Sequence, residues 1–72
     1  MTAYVQAVIF KKDKWTTPKA RRWLKKNNYT PIKKVHITDD FYRYRINEPD
    51  KYTKFTTKKL KDGIELILGF NS

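Results

Sequence analysis

The sequence predicts an α+β domain in which one amphipathic helix packs across a four- to five-stranded, mainly antiparallel sheet, in the order β-α-β-β-β-β. Three observations carry this expectation. A single stretch of helical spacing follows Thr16-Thr17-Pro18, five short runs have strand character, and turn chemistry at Asp39-Asp40 and Asp62-Gly63 joins those runs in pairs. At 72 residues the chain makes one domain, 1–72, and without cysteine it has neither a disulfide nor a thiolate metal site to staple it. Packing must supply the stability, and eleven aromatic residues offer large buried areas for it.

Tyr4 to Phe10 is mostly apolar with β-branched residues, bounded by Lys11-Lys12-Asp13-Lys14, and reads as a strand buried on at least one face. Thr16 is placed to cap a helix over about 17–27, proline being tolerated in the first turn, and Trp15 and Ala20 hold the staple positions. Ala20, Trp23 and Leu24 share one helical side, while Lys19, Arg22 and Lys26 line another. Asn27-Asn28 can close the helix in the left-handed conformation, and Pro31 prevents its continuation. Trp15 and Trp23 are expected in the core.

Ile32 to Thr38 and Phe41 to Asn47 read as a hairpin across Asp39-Asp40. Val35 and Ile37 are expected to be buried against Tyr42, Tyr44 and Ile46, which turns Arg43 and Arg45 to solvent. Glu48-Pro49-Asp50 breaks the pattern, and residues 51–54 fit either one helical turn or an irregular connection. In the second hairpin, a three-residue turn with Gly63 left-handed pairs Leu60 with Ile64. It also aligns Ile64, Leu66, Leu68 and Phe70 on the core side, with Ile67 opposite. Lysines at alternate edge positions discourage edge-to-edge pairing.

Charge is the strongest functional signal. Seventeen Lys and Arg against seven Asp and Glu leave +10, and the segment from Lys11 to Lys34 holds ten basic residues and one acid, Asp13. Such an imbalance points to an anionic partner and to one basic face beside a more neutral one. The candidate nucleic-acid-binding residues are Lys19, Arg22, Lys25, Lys26, Lys33 and Lys34, with Arg43 and Arg45 as a second patch. Tyr42 and Tyr44 alternate with those arginines. They suit either base stacking or, as preferred here, an inward-facing row. Most of the cations are lysines, point charges that neutralise phosphate without discriminating bases.

Enzymatic chemistry has little to draw on. His36 is the single histidine, and nucleotide-loop and nucleophile-elbow motifs are missing. Asp39 and Asp40 near His36 have the chemistry to hold a divalent metal, but a hairpin turn with a surface histidine is the preferred reading. No enzyme, metal or cofactor is expected. Neither is a membrane span, since no apolar run approaches about 20 residues.

The segments Val5 to Phe10, Trp15-Thr16, Ala20 to Lys26, Pro31 to Val35, Phe41 to Arg45 and Thr57 to Phe70 resemble a small basic domain of uncertain function encoded by phages and large DNA viruses. The helix and first hairpin bear a weaker likeness to segments associated with phage head-maturation proteins. The resemblance implies a viral protein at work inside an infected cell or a virion, near packaged or replicating genomes. The resulting expectation is a non-enzymatic module that binds DNA or RNA through phosphates. The alternative is a virion-structural or protein-interaction module that meets an acidic protein.

Overall fold

In the computed structural model, which describes residues 3–71, the chain runs β1 (Ala3–Lys11), α1 (Thr17–Lys26), β2 (His36–Ile37), β3 (Phe41–Arg45), β4 (Lys54–Lys59) and β5 (Ile64–Phe70). Short 3-10 turns occupy Pro49–Lys51 and Lys61–Gly63. The strands form one antiparallel sheet in the order β2-β3-β1-β5-β4, with α1 on one face. This is the α+β architecture expected from the sequence.

The apolar run of β1 takes the middle of the sheet because it has apolar partners on both sides. Val8 and Phe10 stand opposite Tyr44 and Tyr42 of β3, and opposite Leu66 and Ile64 of β5. These residues meet Ala20 and Leu24 of α1 in the core. Phe10 is fully buried and contacts three rings, with centroid distances of 5.0 Å to Trp15, 5.6 Å to Trp23 and 5.7 Å to Tyr44.

Simple alternation along β1 fails at Gln6, where the pairing with β5 shifts register between Val5 and Ala7. The extra residue lets Val5 and Val8 both pack toward the helix, although they are three positions apart. Gln6 is buried, and its side-chain amide donates to the Asn47 carbonyl at 2.9 Å. The Asn47 side chain donates in turn to the Val5 carbonyl at 2.9 Å, so neither side chain at the irregularity is left without a partner.

The helix boundaries follow their signals. Thr16 is the N-cap, its hydroxyl accepting from the Lys19 amide at 3.4 Å, and Asn27 is the C-cap. Asn28 is left-handed at φ 64°, and the Tyr29 amide returns to the Leu24 carbonyl at 2.9 Å. In the β4–β5 turn Leu60 pairs with Ile64 through a 2.7 Å bond, as expected. Asp62 as well as Gly63 is left-handed, a conformation short polar side chains tolerate. The Trp15 indole donates to the Asp62 carbonyl at 2.7 Å, tying this turn to the start of the helix.

The first hairpin needs a correction. Only His36 and Ile37 join the ladder, and Ile37 is 54% exposed rather than buried; Val35 does pack against the core. Pro31 has no amide to donate, and after the Ile32 amide bonds the Arg45 carbonyl at 2.9 Å the chain leaves the sheet until His36. Ile37 therefore lies on an outermost strand, past the elements that α1 covers.

Gly69 has a packing role. The Tyr52 ring occupies the space that a β-carbon on Gly69 would need. Gly69→Ala is therefore expected to destabilise the domain by about 1–3 kcal/mol, seen as a lower midpoint in thermal unfolding. An unchanged midpoint would contradict this packing.

Candidate nucleic-acid interface

Helical periodicity sets out the first group of cations. Because Ala20 and Leu24 must face the sheet, Lys19, Arg22, Lys25 and Lys26 are turned to solvent, and Arg21 is also exposed. The first turn carries no acid, and among the described residues no carboxylate lies within 4.0 Å of any of these five cations.

Strand periodicity sets out the second. Tyr44 is buried and Tyr42 packs against the core, so Arg43 and Arg45 project from the face opposite α1. Base stacking by these two tyrosines on the open face is thereby excluded. Arg43 is oriented by the irregularity in β1, its guanidinium donating to the side-chain oxygen of buried Gln6 at 3.4 Å. The eight candidate residues thus do not share a single face, because the sheet separates the helix cations from the two arginines.

Lys33 and Lys34 connect them. The connection from α1 to β2, residues 28–35, runs outside the sheet and with α1 and Tyr44 lines a groove of about 680 Å³ whose cations are Arg21, Lys25, Lys33 and Lys34; Leu24, Tyr29, Val35 and Tyr44 supply apolar walls, and among the described residues no acid lines it. A second depression of about 150 Å³ is lined by Lys33, Lys34, His36, Arg43 and Arg45. The two lysines border both, so positive charge continues from the end of α1 around the β2–β3 edge to the open face. Among the described residues Glu48 is the one carboxylate paired within this track, 3.8 Å from Lys33 and 3.7 Å from Arg45. These side chains are substantially exposed, so each pair contributes little stability and yields readily to a competing anion.

Lys19, Arg22 and Lys26 line neither depression and extend the charge along the outer side of α1. Arg21 was not among the candidates. Its signal was its i,i+4 spacing from Lys25, which puts both on the same flank of the helix. His36 pairs with Arg43 across the ladder, and Asp39-Asp40 form the adjoining hairpin turn. Among the described residues no cluster of three His, Asp or Glu side chains could hold a metal ion, and no helix is long and apolar enough to cross a membrane.

Tyr44 ties the groove to the core. Its hydroxyl donates a long 3.5 Å hydrogen bond to the Thr17 carbonyl. Burial raises its pKa above the ordinary tyrosine value, an effect that Arg21 opposes and Tyr42 reinforces.

No family model, curated protein or solved structure matches the chain. The arrangement of its own residues is therefore what bears on its function.

The Tyr44 shift has a definite sign. A phenol whose folded-state value is raised contributes stability that is complete below the unfolded value of about 10 and is lost as pH climbs through the folded value. In alkaline titrations followed by circular dichroism, Tyr44→Phe should lose less stability above about pH 10 than the parent protein. Parallel curves for the two proteins would contradict the role given to burial.

Proposed function

We propose that the protein is a non-enzymatic nucleic-acid-binding module that holds its ligand through phosphates and reads little or no sequence. The observation that supports this best is the shared position of Lys33 and Lys34, which border both basic depressions and join α1 to Arg43 and Arg45. Lysines scattered over a surface normally stand among compensating acids, whereas among the described residues this track contains Glu48 alone as a paired carboxylate.

In this reading Lys25, Lys33, Lys34 and Arg21 grip phosphates at the groove, and Arg43 and Arg45 continue the contact on the open face. Lys19, Arg22 and Lys26 attract the polyanion from the outer side of the helix. Binding releases condensed counterions, so affinity depends steeply on salt. The resemblance to small basic domains of phages and large DNA viruses favours a viral genome or transcript as the setting.

A salt series measured by fluorescence anisotropy tests the proposal. With about four to eight phosphates neutralised, log affinity should fall against log salt with a slope of roughly −3 to −7, depending on strand state. The double variant Lys33→Glu, Lys34→Glu should bind more weakly and with a shallower slope. The proposal fails if no binding is detected at low salt, or if the double variant binds like the parent protein.

A further inference from the structure

The face of the sheet opposite α1 carries aromatic side chains that phosphate contacts leave unused. Tyr4 and Phe55 are 47% and 48% exposed, and both lie beside Gly69 in the ladder. The Tyr52 ring sits over Gly69 between them, stacked with Tyr4 at 6.0 Å and edge-on to Phe55 at 6.1 Å. A glycine in the interior of β5 thus creates a seat for one ring and brings three together on the sheet surface.

This trio is close to the end of the basic track. Tyr4 lies on β1, the strand next to β3, three residues before Ala7, whose ladder partners on either side are Arg45 and Ile67. Glu65 is a carboxylate on the same face, paired across the ladder with Lys59. A polyanion following the cations around the β2–β3 edge therefore arrives beside exposed rings.

We propose that the ligand is single-stranded nucleic acid, its backbone following the track through Lys33, Lys34, Arg43 and Arg45 and its bases stacking on Tyr4, Tyr52 and Phe55. The inference rests on the phosphate-binding reading above and adds the strand state and the base platform to it. Two independent features support it. The track bends around a domain only 22 by 20 Å in its shorter dimensions, whereas a duplex stays straight over about 150 base pairs and a single strand turns freely. Exposed aromatic rings bind unpaired bases of any sequence, which a duplex keeps stacked within itself.

The test compares three probes at one low salt concentration: a twelve-nucleotide oligothymidylate, a twelve-base-pair duplex, and inorganic polyphosphate, which has charge but no bases. The variants are Tyr4→Ala, Phe55→Ala and Lys33→Glu with Lys34→Glu, each checked for folding by near-ultraviolet circular dichroism. The parent protein should prefer oligothymidylate to the duplex. Each aromatic variant should bind oligothymidylate about five- to a hundredfold more weakly while holding polyphosphate as before. The charge-reversal variant should lose both.

If the aromatic variants bind oligothymidylate like the parent while charge reversal weakens it, the platform is wrong and the phosphate reading stands. If no probe binds, both fall. Sedimentation of the free protein as a dimer that Tyr4→Ala and Phe55→Ala dissociate would assign the aromatic face to a second copy and overturn the inference.

Discussion

The packing of Phe10 against Trp15, Trp23 and Tyr44 is the contact on which the rest of the molecule depends. A 72-residue chain with a net charge of +10 repels itself and has no cross-link to resist that repulsion. Phe10 answers both problems by joining the central strand to the helix, to Trp15 ahead of the helix cap, and to β3. Once Tyr44 is held in that cluster, the two-residue period of β3 sends Arg43 and Arg45 to the opposite surface. Once Ala20 and Leu24 face the sheet, the helix has no choice but to present its cations to water. The charge distribution is therefore a consequence of where the aromatic rings are buried.

The parts of the fold that were legible in the sequence are those governed by local chemistry. The Thr16 cap, the left-handed Asn28, the three-residue turn ending at Gly63 and the inward row of Tyr42 and Tyr44 each follow from residue type and short-range spacing. Features that depend on long-range pairing were not legible. Gln6 breaks the alternation of β1 because of its register with β5. Ile37 is exposed because β2 lies at the sheet edge, and Tyr52 covers Gly69 from seventeen residues away.

The candidate cations divide in the same way. The outward direction of Arg43 and Arg45 was readable from the alternation of β3. The separation of the cations onto two faces, and the junction at Lys33-Lys34, required the position of β3 in the sheet and the path of residues 28–35 outside it. The same departure that shortens β2 opens the groove, so a loss of strand pairing and a gain of basic surface have one cause. The proposed ligand exploits that junction, for only a chain able to bend can touch both faces at once.

The most direct measurement is a titration of nitrogen-15-labelled protein with short oligothymidylate at low salt, followed by amide chemical shifts. A continuous track predicts perturbations running without a gap from the last turn of α1, through residues 28–35, to Arg43 and Arg45. Perturbations confined to one face of the sheet, or none at all, would contradict it.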